Sequence, residues 1–299
     1  MTNNSLEHQQ PIKMHHTPDH EIERYLRTGQ SDTLGAAWPG SSIIERCRGA
    51  DTALRNALIA EVLARSRPAF APQDIDAADL AAITRAKVEP MVRGLFPPHE
   101  QVAVLELLAN SVVYLTPRNI EQVLRQEPHL HTAWNLANLY LLSCDAELLS
   151  EEAPNIIGLS QASTCYVSMR YFKGGDLFDD VVVHEAAHIF HNYKRELVGL
   201  KSTREREWLL SIAFGKRETF AYACEALSRI LVLGDTKAAR RDLLAKFESE
   251  AMPSADQVDP REFVDILRQA VAARNGWKCI LQRCGPPARH PASKSKPAL

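Results

Sequence analysis

The chain has 299 residues, 45% of them hydrophobic and 24% charged, enough apolar material for one large or two ordinary globular domains. A formal net charge of -2 offers no electrostatic footprint for nucleic acid or an anionic membrane as the main partner. No run approaches the roughly 18 consecutive apolar residues of a membrane span, and Met1 to Asp19 lacks the apolar segment of a secretory signal, so a cytoplasmic location is expected.

Residues 1–20 mix Asn, Gln, Pro, Thr and His (His8, His15, His16, His20) without periodicity and read as a disordered tail. From 21 to 150 the pattern is mainly helical. Ser41 or Ser42 caps a helix with Ile43, Ile44, Leu54, Leu58, Ile59 and Val62 at helical spacing and a break near Gly49. A second helix starts near Asp74 and carries Leu80, Ile83, Val88, Met91 and Val92; a third runs from about His99 through Leu108. Ser111–Thr116, β-branched and aromatic, reads as a strand. Thr116-Pro117 then starts a short helix ending near Gln126, and another spans about His131 to Leu149.

The region 151–275 changes character. Asn155–Leu159 and Thr164–Met169 look like short strands joined by a polar turn. Asp179 or Asp180 then caps a helix, and further helices follow at about Arg206–Leu233, Lys237–Glu248 and Arg261–Arg274. Residues 276–299 are assigned to a flexible tail, on the proline-rich Gly285–Leu299 stretch. The six cysteines form no Cys-x-x-Cys pair, so reduced thiols are expected rather than a structural zinc ribbon. Neither a phosphate-binding glycine loop nor a Gly-x-Ser-x-Gly elbow is present.

The chemistry concentrates in His184-Glu185-Ala186-Ala187-His188. Two histidines four apart lie on one helical face, where both imidazoles reach one tetrahedral zinc ion. Glu185 sits where it can hold a metal-bound water and take its proton. Val181–Val183 and Ile189-Phe190 flank the motif, so its helix must be nearly buried. Burying two histidines and a glutamate without a shared partner is costly, and zinc supplies that partner.

A third ligand is required. A metzincin-type site would place a histidine at position 194, which is Lys194. His191 sits on roughly the same helical face, but one straight helix can hardly wrap three ligands around one ion. The remaining option is a carboxylate on the apolar helix around 217–227, where Glu218, Tyr222 and Glu225 share a face.

Together the two motifs resemble the gluzincins, zinc metallopeptidases with His-Glu-x-x-His on one helix and a glutamate ligand on a later one. Glu218-Thr219-Phe220-Ala221 matches the Glu-x-x-Ala form of their second motif, 30 positions after His188. The resemblance covers about residues 155–232. It implies an α+β, predominantly helical protein with a zincin-like core: a small sheet, an active-site helix and a glutamate-bearing helix. It also implies one Zn2+ held by His184, His188 and Glu218, with Glu185 as general base and a peptide or protein as substrate. Thr164–Met169 would be the edge strand beside that substrate.

The chain departs from the pattern at Tyr222, where some relatives carry an aspartate that orients a ligand histidine. Asp179, Asp180 or a backbone carbonyl is expected in that role. Glu225 stands as the second candidate ligand, and Tyr171, Tyr222 and His191 as candidate donors to the reacting carbonyl. The competing reading is a non-catalytic or single-substrate regulatory protein that binds a partner through the same cleft.

Overall fold

The computed structural model describes residues 17–66, 76–161, 163–203, 206–250, 252–253 and 257–286. Residues 1–16 and 287–299 of the tails expected at 1–20 and 276–299, and the helix start expected near Asp74, lie outside the described residues. Among the described residues the protein is mostly helical with one small sheet, and the chain divides into two units, the first comprising residues 1–70 and 117–155 and the second residues 71–116 and 156–299. Residues 77–116 group with the motif-bearing part, and 117–155 with the N-terminal helices.

Among its described residues the first unit packs four helices, α1 (Pro18–Thr28), α2 (Ile43–Arg65), α5 (Ile120–Gln126) and α6 (Leu130–Ser143). Thr17 caps α1, with proline at its first position, so helix replaces the tail expected up to residue 20. Ser42 caps α2, which runs unbroken through Gly49. Tyr25 donates its hydroxyl to the Leu130 carbonyl at 2.7 Å and the Trp134 indole donates to Leu26 at 2.8 Å, tying α1 to α6.

The second unit contains α3 (Ala77–Leu95), α4 (Pro98–Ser111), β1 (Val112–Leu115), β2 (Gly158–Gln161), β3 (Thr164–Ser168), α7 (Val181–Asn192), α8 (Arg217–Leu233), α9 (Lys237–Glu250), α10 (Pro260–Ala272) and α11 (Gly276–Cys284). Its sheet has the order β1-β3-β2, with β1 parallel and β2 antiparallel to β3. Thr164–Ser168 is thus the central strand, contrary to the edge position expected of it. Val112–Leu115 pairs with it from 53 positions upstream, a long-range partner that local pattern does not reveal. The open edge next to α7 belongs to β2.

Two further differences concern helix limits. The helix expected from Arg206 begins at Arg217, because the preceding backbone bonds elsewhere: Leu209 N–H donates to Tyr193 and Leu210 N–H to Phe190. Residues 276–284, assigned to a tail, form α11, which buries Trp277, Ile280 and Cys284. Its apolar positions recur every three or four residues and face the core.

One continuous core holds the motif helix in place. Val182, Val183, Ala186, Ala187, Ile189 and Phe190 of α7 pack with Phe220, Ala221, Cys224 and Leu227 of α8, and with Cys165 and Val167 of β3. No described helix is long and apolar enough to cross a membrane.

Candidate metal centre

The centre lies where α7 crosses α8. The small residues Ala186, Ala187, Ala221 and Ala223 are all fully buried and let the two helices approach closely. His184, Glu185 and His191 are buried, and the His188 side chain is 12% exposed.

One ligand-type atom from each of His184, His188 and Glu218 falls within 4.8 Å of the others. The two Nε2 atoms are 3.3 Å apart. Glu218 brings Oε1 to 3.7 Å from His188 Nε2 and Oε2 to 3.8 Å from His184 Nε2. Two nitrogens bonded tetrahedrally to one zinc at about 2.0–2.1 Å stand about 3.3 Å apart, so the histidine pair has the separation that zinc demands. The carboxylate spacing is slightly longer, within reach of a side-chain rotation.

Glu225 has a different place. Its Oε2 lies 3.1 Å from His184 Nδ1, and its Oε1 accepts the Asp180 backbone N–H at 2.7 Å. That carboxylate accepts from Nδ1 and turns Nε2, the other ring nitrogen, toward His188. Glu225 is the orienting group expected of Asp179, Asp180 or a carbonyl, and it points away from the ligand position that was its alternative assignment.

Asp180 supports the arrangement from behind. Its backbone carbonyl accepts from Val183 and His184 at the start of α7. Its carboxylate, 1% exposed, accepts from Lys87 Nζ at 2.8 Å and from the Tyr171 hydroxyl at 3.1 Å. Tyr171 is thereby engaged behind the site. Tyr222 instead sets its ring edge-on to His184, centroids 4.4 Å apart.

Glu185 is shaped by β2. A Cβ on Gly158 would stand 2.6 Å from Val181 Cγ2 and 2.8 Å from Glu185 Cγ, so only glycine allows the strand to lie this close. Ser160 donates its hydroxyl to the Glu185 carbonyl at 3.1 Å. Burial pushes the Glu185 carboxyl upward, His184 beside it pulls the other way, and the net shift is upward. A carboxylate raised in this manner is a better base near neutral pH.

The two histidines differ. Burial lowers His188 to about 3, helped by the neighbouring charges of His184, His191 and Arg217. Burial also opposes an imidazolium at His184, but the Glu225 hydrogen bond and the nearby carboxylates outweigh it and raise that group.

No family model, curated protein or solved structure matches this chain. The site must therefore speak through its own geometry. His184, Glu185, His188 and Glu218, singled out from sequence, are brought together. What sequence reasoning missed is the Glu225–Asp180–Lys87 support. Spacing held a partial signal: Glu225 is two turns beyond Glu218, about 10 Å along the axis, too far for both to bind one ion.

Proposed function

We propose that the protein is a zinc-dependent metallopeptidase of gluzincin-like design, binding one Zn2+ through His184, His188 and Glu218. The observation that carries this reading is the 3.3 Å approach of two Nε2 atoms, one with its other nitrogen fixed by the Glu225 carboxylate, beside the Glu218 carboxylate. A shared cation would satisfy both Nε2 atoms and Glu218 together once it displaces the His184 Nε2 proton.

Bound zinc would supply Lewis acidity to polarise a carbonyl and acidify a water. Glu185 removes the proton from the attacking water and later delivers it to the leaving nitrogen. The core packing of α7 holds Glu185, and Gly158 lets β2 shield its carboxylate on one side. The open edge of β2 offers backbone groups along which an extended peptide can align. Tyr222, edge-on to His184, is the nearest of the candidate donors to the reacting carbonyl.

Elemental analysis of purified protein should find about one zinc per chain, and none when His184 and His188 are both alanine. Glu185→Gln should keep the metal and lose hydrolysis of a peptide library. Folded wild-type protein that takes up no zinc when zinc is supplied sinks the reading. Zinc with no Glu185-dependent hydrolysis in any library leaves the partner-binding reading in its place.

A further inference from the structure

Arg217, the first residue of α8, precedes the proposed ligand Glu218. Its Nε is buried and has no hydrogen-bond partner. The guanidinium instead stacks 5.0 Å from the ring centre of Phe214, a side chain 84% exposed. Stacking fixes the plane of the fork without using its donors. Among the described residues Arg217 is thus a cation beside the metal centre with no acidic partner.

A second unpaired group stands nearby. His191, 5% exposed, has a buried Nδ1 without a partner. Its ring meets His188 edge-to-face, centroids 5.4 Å apart. Glu218, next to Arg217 in the chain, lies 3.7 Å from His188 Nε2, so both groups border the His188 side of the centre. Native proteins rarely bury polar groups unpaired, and two around one spot call for a ligand group that supplies both partners. The 17-residue helix α8 starts without a side-chain cap, so its free N–H groups favour negative charge at the same end.

We propose that Arg217 and His191 form a subsite for a carboxylate of the substrate, on the His188 side of the metal centre. The proposal rests on the peptidase reading above. Two carboxylate oxygens match the guanidinium fork, and the imidazole adds one N–H. The carboxylate is supplied either by the C-terminus of a short peptide, which makes the protein an exopeptidase, or by an aspartate or glutamate side chain.

Three hydroxamates of one short peptide test this on the zinc-loaded protein by titration calorimetry. The first ends in a free carboxylate, the second in a carboxamide, and the third in a carboxamide with an added aspartate side chain. One carboxylate form should bind about tenfold or more tighter than the plain carboxamide, and which one does so names the source. Arg217→Gln should remove that preference with zinc content unchanged. Arg217→Lys, which keeps the charge but loses the fork, should retain part of it, and serves if Arg217→Gln does not fold. Equal binding of all three by the wild type, or a preference that survives Arg217→Gln, overturns the subsite while leaving the zinc site standing. Absence of zinc from the wild type overturns the peptidase reading itself and the subsite with it.

Discussion

Glu225 holds Nδ1 of His184 at 3.1 Å and thereby decides which ring nitrogen faces His188. The same carboxylate takes the Asp180 N–H, so one side chain of α8 fixes both the tautomer of a proposed ligand and the start of the helix that carries it.

Removing this carboxylate should weaken zinc binding without deleting a ligand. For Glu225→Ala, affinity measured by competition with a chelator is expected to fall about 10- to 100-fold. Glu225→Gln, which keeps an acceptor oxygen, should fall less. A folded Glu225→Ala protein with wild-type zinc affinity would contradict the orienting role.

Lys87 reaches the nearly fully buried Asp180 carboxylate from α3, 93 positions upstream. Lys87→Met leaves that charge with the Tyr171 hydroxyl alone. Because the Lys87 side chain is 30% exposed, the destabilisation is expected at about 1–2 kcal/mol rather than the value of a fully buried pair. Urea unfolding of the metal-free protein measures it, and an unchanged midpoint would remove Lys87 from the support of the site.

Gly158→Ala places a methyl group against Val181 and Glu185, where the gap is already filled. Overpacking of this kind costs about 1–3 kcal/mol. If the strand holds its place, Glu185 must move, so hydrolysis should drop more than zinc affinity does. Equal activity and stability in this variant would show that β2 has room to retreat.

The pH dependence of zinc binding separates the two histidines. His188 is lowered to about 3 by burial, with help from the charges around it, and stays uncharged, with one ring nitrogen free of a proton. His184 is raised in the metal-free protein, so its Nε2 proton is the one zinc must displace as the pH falls. Affinity should be flat above the raised pKa of His184 and fall about tenfold per pH unit below it, the slope for one proton. A slope of two protons near neutral pH would mean that both imidazoles titrate together.

The proposed ligands were legible because a helix turns local spacing into shared direction. His184 and His188 differ by one turn, and Glu218 sits on an otherwise apolar face. Relations set by distant segments were not legible. Nothing near Thr164–Ser168 announces that Val112–Leu115 will cover one of its edges. Trp208, Leu209 and Leu210 look helical by composition, yet their backbone is claimed by Phe190, Tyr193 and Lys194. Glu225 reads as a spare ligand until the Asp180 N–H beneath it is located. The compositional reading of residues 276–284 as tail failed for a plainer reason: three buried side chains suffice to dock a nine-residue helix.

The unit that carries the candidate metal centre is discontinuous, with residues 117–155 belonging to the other unit. A shortened chain starting at residue 151 would keep every proposed ligand and the general base. It would lose β1, leaving Cys165 and Val167 along a bare strand edge, and it would lose Lys87, leaving Asp180 charged in the interior. The motif therefore cannot be lifted out as a cassette. Whatever lineage preserves this arrangement of side chains must inherit the segment around 77–116 together with the histidine helix, although neither contains a hint of the other.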